Sequence, residues 1–140
     1  MDRLRERVAI AEKALETLKL LPKDEYSSDV VRDASIQRFE YTFEALWKAT
    51  QLYLREEEGL TVGSPKGVVR AAFQVNLLNE DQTRLALEMV DDRNLTVHTY
   101  NETLAKAIYS RIQGYVTLME HWLDAMKERM EHARKENTDS

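Results

Sequence analysis

The sequence has no cysteine, few prolines and glycines, and no long apolar run. Without cysteine, disulfides and thiolate metal sites are excluded, and nothing points to an oxidising compartment. No stretch approaches the roughly 20 apolar residues that a membrane span requires. The first residues, Met1-Asp2-Arg3-Leu4-Arg5-Glu6-Arg7, lack the apolar h-region of a signal peptide. The expectation is a cytoplasmic protein with no membrane association. Also missing are a phosphate-binding glycine loop, a paired-carboxylate motif and a serine nucleophile signature. Acidic residues outnumber basic ones 25 to 20, for a net charge of -5, with the two signs intermixed. That balance argues against the broad basic face of a nucleic-acid coat protein, but not against a small local phosphate site.

What the sequence has is helical periodicity. Leu4, Val8, Ala11, Leu15 and Leu18 recur at steps of three or four and predict a first amphipathic helix. Pro22 ends it, since proline cannot continue the hydrogen-bond ladder. A second, longer helix is expected from Ser27 or Ser28, either of which can serve as N-cap. It carries Ile36, Phe39, Phe43, Leu46, Thr50 and Tyr53 on one face, with Trp47 and Leu54 alongside, and stops at Gly59. Ser64-Pro65 restarts the chain into a short third helix through Val68, Val69, Ala72, Phe73 and Leu77. Asn79-Glu80-Asp81-Gln82 reads as a capping box opening a fourth helix through Leu85, Met89 and Val90. Thr99-Tyr100-Asn101-Glu102 reads as a second capping box. It opens a last, long helix with Leu104, Ile108, Ile112, Tyr115, Leu118, Trp122 and Met126 on one stripe. No segment alternates as a strand would. The expected fold is all-α: an antiparallel bundle of four to five helices spanning residues 1–130, with 131–140 as a polar, fraying tail.

One string stands out from this scaffold: Arg93-Asn94-Leu95-Thr96-Val97-His98-Thr99-Tyr100. It sets a permanent cation, a residue that titrates near neutral pH and a phenol close together, which suggests phosphodiester chemistry or nucleotide binding. In an unbroken helix Arg93 and His98 would point about 140° apart. A helix start at Thr99 turns the segment into an elbow that can aim both side chains into one cleft. The ordinary reading of the same residues is a cation at a helix C-terminus, pairing with Asp91 or Asp92, and a surface histidine.

Other residues invite plainer readings. His121 and His132 stand too far apart to share a site, and Glu56-Glu57-Glu58 reads as a solvated face. Trp47 and Trp122 fall on apolar stripes and read as core or interface. Gly114, inside the last helix, costs about 1 kcal/mol relative to alanine, and close helix packing is its expected reason.

With these residues in view, the chain resembles the HEPN superfamily, and within it the branch of nucleotidyltransferase substrate-binding proteins. The resemblance runs from about Ile36 to Ile112. It rests on Gln37-Arg38-Phe39-Glu40-Tyr41 with Lys48 in the second helix, and on Asp92 to Tyr100 at the elbow. The HEPN signature of arginine, a polar residue, a short spacer and histidine falls on Arg93, Asn94 and His98, with Tyr100 matching its extended form. The resemblance implies a homodimer that brings two copies of the motif together, a minimal nucleotidyltransferase as partner, and no cofactor or metal. It further implies a ribonuclease toxin in which His98 acts as general base or acid, Arg93 stabilises the charged transition state and Asn94 orients phosphate or histidine. The partner would neutralise it by adding AMP to Tyr100. RNA or nucleotide is the expected ligand, and the alternative left open is a non-catalytic subunit that lends the partner a nucleotide- or substrate-binding surface.

Overall fold

A computed structural model of the chain describes residues 2–21 and 28–139; the expected break at Pro22 and the candidate cap Ser27 lie outside them. Five α-helices account for nearly all of the described residues: α1 (Arg3–Lys19), α2 (Asp29–Glu58), α3 (Pro65–Gln74), α4 (Glu80–Leu95) and α5 (Glu102–Asp139). A single 3₁₀ turn (Thr96–His98) lies between α4 and α5. No described helix is long and apolar enough to cross a membrane.

The starts and stops follow local chemistry. The Asp2 side chain accepts the Leu4 N–H at 2.9 Å and opens α1, and Ser28 does the same for Val31 at the head of α2. Gly59 ends α2 in the left-handed region at φ 69°, which costs glycine nothing. Ser64 caps α3 through the Gly67 N–H at 3.1 Å, with Pro65 in the first turn. A Cβ on Gly67 would lie 2.6 Å from Val62 Cγ1, so this close approach requires glycine. Asn79 and Gln82 form the expected reciprocal capping box, at 2.8 and 2.9 Å.

Three expectations are corrected. The third helix stops at Gln74, because Asn76 turns to φ 62°, and Leu77 is buried beyond the helix instead of within it. Phe73, expected in the core, is 45% exposed, and Ala71 is buried in its place. The cap of α5 is Asn101, not Thr99: Asn101 Oδ1 accepts the Leu104 N–H at 3.1 Å, while the Thr99 hydroxyl donates to Thr96 O. In addition, α5 continues through 131–139, the segment expected to fray, where His132 Nε2 and Glu136 Oε1 lie 3.0 Å apart one turn from each other.

The expected stripes of α1 and α2 and most of that of α5 converge on one core, whose largest fully buried members include Trp122, Tyr115, Phe39 and Phe43. Phe39 stacks on Tyr115 with ring centroids 5.5 Å apart. Trp122 Nε1 donates to Thr50 Oγ1 at 3.0 Å, and Thr50 donates on to Leu46 O, so both buried polar groups are satisfied. The cross-links set the helix directions. Arg38 to Thr17 O, together with Lys127 to Glu12 and Lys19 to Glu120, orders α1 antiparallel to both α2 and α5. Phe39–Tyr115, Thr50–Trp122 and Glu58–Arg129 advance together, so α2 and α5 run in the same direction. Glu58, expected in a solvated acidic run, accepts from Tyr53 at 3.1 Å and faces Arg129 at 3.7 Å. A Cβ on Gly114 would meet nothing within 4 Å, so close packing within the chain does not explain this glycine.

Candidate functional site

The elbow between α4 and α5 is pinned by its own short polar residues. Thr96, buried, donates its hydroxyl to Arg93 O at 2.7 Å, and Thr99 donates to Thr96 O at 3.0 Å. The Asn101 N–H then reaches His98 O at 3.0 Å, and Ala105 returns to Asn101 O at 2.9 Å. Threonine and asparagine suit this role because their side chains replace the backbone partners that the helix ends lack. The helical phase is broken between Leu95 and Glu102, so the 140° separation of an unbroken helix no longer applies.

Beneath the elbow lies a charged anchor. Asp92 is buried, and it accepts two hydrogen bonds from Arg111, Nε at 2.7 Å and Nη2 at 2.8 Å, and one from the buried Tyr115 hydroxyl. Burial pushes the Asp92 carboxyl up, but the Arg111 and Tyr115 hydrogen bonds outweigh it and hold the group below its usual range. The Tyr115 phenol moves the opposite way, raised by burial and by donation to the carboxylate. The bidentate Arg111 fork fixes the last turn of α4 against α5.

Arg93 does not pair with its neighbours in sequence. Asp91 is taken by Lys66 at 2.8 Å and Asp92 by Arg111, while Arg93 Nη2 reaches across to Glu44 Oε2 in α2 at 2.7 Å. Glu44 also accepts from Trp47 Nε1 at 3.0 Å and pairs with Lys48 at 3.2 Å. Its partial burial raises the carboxyl pKa, but the hydrogen bonds from Trp47 and Lys48 and the Arg93 charge prevail and keep it below its usual range. Asn94 is exposed on the elbow.

His98 and Tyr100 are brought together. The phenol oxygen and His98 Nδ1 are 3.3 Å apart, and the rings meet edge to face at 5.8 Å and 83°. Both are exposed, Tyr100 at 86%, and the apolar Val97 (72%) and Leu95 (39%) flank them. The four motif residues thus fall into a held cation (Arg93), a surface amide (Asn94) and an exposed imidazole–phenol pair. Arg93 is hydrogen-bonded to Glu44 and not to His98. Among the described residues, no group of three or more His, Asp or Glu stands where it could hold a metal ion.

Sequence reasoning missed Glu44, Arg111 and Tyr115 as partners of this region. Glu44 was visible only as an acid four residues before Lys48, and Tyr115 only as one apolar position on a stripe.

Residues 6–128 match the family model described as nucleotidyltransferase substrate binding protein like. A Haemophilus influenzae protein described as probable ribonuclease HepT is 24% identical over 108 residues, covering 74% of this chain and 73% of its own. A Thermus thermophilus protein of known crystal structure shares 63% identity at a TM-score of 0.81, over 83% of this chain and 98% of that one. The Shewanella oneidensis HEPN toxin, solved tri-AMPylated and in complex with MNT antitoxin, superposes at a TM-score of 0.76 over 91% of this chain and 98% of its own. At 18% identity that likeness establishes the shared all-α fold.

Proposed function

The chain belongs to the nucleotidyltransferase substrate binding protein like family, a branch of the HEPN superfamily, and we propose that it is the HEPN-type partner of a minimal nucleotidyltransferase. In this reading it is a ribonuclease toxin that needs no metal and is neutralised by AMP addition to Tyr100. The observation that carries it is the exposed His98–Tyr100 pair at the elbow, with Nδ1 and the phenol oxygen 3.3 Å apart. His98 is open to solvent, and an imidazole there can act as a proton-transfer group.

In the cleavage step the RNA 2′-hydroxyl loses its proton to an imidazole and its oxygen attacks the adjacent phosphorus. The bond to the 5′-oxygen breaks, and that oxygen takes a proton as it leaves. A homodimer supplies two copies of His98, one for each transfer. The exposed Val97 and Leu95 provide an apolar rim that a second copy would cover. Arg93 stabilises the charge that builds on the phosphorane-like centre, and Asn94 orients phosphate or imidazole.

The same exposed pair supports neutralisation by AMP addition. The Tyr100 oxygen attacks the α-phosphorus of ATP, pyrophosphate leaves, and the phenol proton passes to the partner enzyme. An added AMP would place a phosphate and a base against His98, repelling the RNA backbone and blocking its approach. The tri-AMPylated Shewanella toxin in complex with MNT antitoxin is consistent with this reading.

The test is expression of the chain alone. Growth arrest relieved by His98→Ala and by Arg93→Ala supports a ribonuclease; arrest that persists in both variants, or no arrest, overturns it. A second reading, a non-catalytic subunit holding nucleotide or another substrate for the partner, is favoured by one observation: Arg93 is already engaged by Glu44. It predicts stable co-purification with the nucleotidyltransferase and no arrest.

A further inference from the structure

On the same face of α2 that holds Glu44, a second cationic feature has no part in the reading above. Arg3 and Arg7 from α1, with Lys48 and Arg55 from α2, line one small cleft together with Gln51 and Thr61. No carboxylate among the described residues lines it. In a chain of net charge -5, four cations around one opening is a local reversal of sign. Among the described residues Arg3, Arg7 and Arg55 form no ion pair, and only Lys48 shares an acid, Glu44, at 3.2 Å. The nearby Asp2 is spent capping α1 and lines a different cleft, with Arg5 and Glu57. A larger, more open neighbouring depression of about 340 Å³ shares Arg3, Arg7 and Lys48 and is lined by Glu6 as well. Gln51 Nε2 donates to Val62 O at 2.6 Å, which holds the chain after α2 as the cleft's wall.

The size selects the ligand. At about 160 Å³, the cleft is smaller than the roughly 300–1,000 Å³ of pockets that enclose a small molecule. It has room for a phosphate group and its hydration. Guanidinium forks match phosphate oxygens in pairs, and an anion relieves the mutual repulsion of the cations. The position selects the carrier. Lys48 lies one turn from Glu44, to which Arg93 is bound, and Arg55 lies about 16 Å further along the axis from Glu44 at 1.5 Å per residue. Cations therefore continue from the motif arginine along α2 to the cleft, a path that suits a strand and not an isolated ion.

We propose that this cleft is a phosphate subsite for single-stranded RNA, holding the backbone at a distance from the bond cut at the elbow. The inference rests on the ribonuclease reading, but binding tests it separately from cleavage. The full chain carrying His98→Ala, which leaves RNA intact, is titrated into a labelled short single strand across a range of salt. Combining Arg3→Gln, Arg7→Gln and Arg55→Gln should weaken binding about tenfold and reduce the salt slope by roughly 0.7, the amount for one lost phosphate contact. Arg5→Gln, outside the cleft, should leave binding unchanged, and Arg55→Glu alone serves if the triple variant does not fold. Binding by the triple variant within about twofold of its parent, or no RNA binding by the parent, overturns the proposal. Loss of ATP binding with RNA binding retained assigns the cleft to a free nucleotide and also overturns it. If cleavage is absent in the unsubstituted chain while the triple variant still loses RNA, the ribonuclease reading fails and the subsite stands. If cleavage is intact while RNA binding is unchanged in the triple variant, the subsite fails and the ribonuclease reading stands.

Discussion

Arg93, at the end of α4, places its Nη2 2.7 Å from Oε2 of Glu44 on α2. The two residues are 49 positions apart in sequence and about equally exposed, at 35% and 34% of their side chains. The pair fixes where the motif's permanent charge sits, and it sets a carboxylate beside the group assigned to hold phosphate. An anion approaching Arg93 must either share the guanidinium with Glu44 or displace it.

Glu44→Gln should therefore strengthen RNA binding. A half-exposed pair is worth up to about 1 kcal/mol, so the Kd should fall by roughly threefold, read by anisotropy in the His98→Ala background. Weaker binding in Glu44→Gln would instead mean that the carboxylate's main task is to hold the arginine in position.

Tyr100→Phe should abolish modification without unfolding the chain, because the phenol is 86% exposed and, among the described residues, its hydroxyl bonds only to the exposed His98. Intact mass after incubation with the partner nucleotidyltransferase, magnesium and ATP should rise in steps of one AMP for the parent and stay unchanged for the variant. A variant that still gains AMP places the acceptor at another residue.

Asp92→Ala leaves the buried Tyr115 hydroxyl without its acceptor and removes the partner of the part-exposed Arg111; it should cost about 2 kcal/mol, or roughly 7 °C in Tm. The same anchor predicts acid sensitivity. Asp92 and Glu44 are both held below their ordinary values in the folded chain. Their contribution is complete above the ordinary carboxylate pKa of about 4 and is lost as pH falls through the lowered folded values. Asp92→Ala should flatten the fall of Tm below about pH 4; an unchanged acid profile would rule Asp92 out as its source.

Asn101→Ala should cost about 1 kcal/mol by uncapping α5, and Thr99→Ala clearly less. Urea denaturation of the two variants checks this, and the reverse order would put the cap back at Thr99.

Gly114→Ala should stabilise the chain by about 1 kcal/mol, since the new methyl meets nothing and the helix loses its glycine. Destabilisation, or a change in mass by light scattering, would reveal a second chain packed on that face.

The helical stripes were legible because burial repeats with the period of the helix itself. Val8, Phe43 and Trp122 each sit where spacing put them, fully inside the core. Caps were legible where one local pattern fitted, as at Ser64 and Asn79, and misread where two competed. Thr99 and Asn101 both precede an acceptable first turn, and the fold chose asparagine because Thr99's hydroxyl already serves the 3₁₀ turn. Phe73 was misread because α3 ends one residue later, at Gln74: Val68, Val69 and Ala72 are buried as spaced, but Ala71, not Phe73, completes the buried strip.

By itself the sequence determined an all-α bundle, an elbow before the last long helix, and a motif of Arg93, Asn94, His98 and Tyr100 placed on it. These are local properties, carried by periodicity, capping groups and breaks within a few residues. Tertiary structure alone decided that Arg93 answers to Glu44, that Asp92 anchors Arg111 and Tyr115, and that Arg3, Arg7, Lys48 and Arg55 line one opening. Charges pair through space, and many partners satisfy the same electrostatic demand. Their choice is fixed only when the packing of α1, α2, α4 and α5 brings particular side chains within reach.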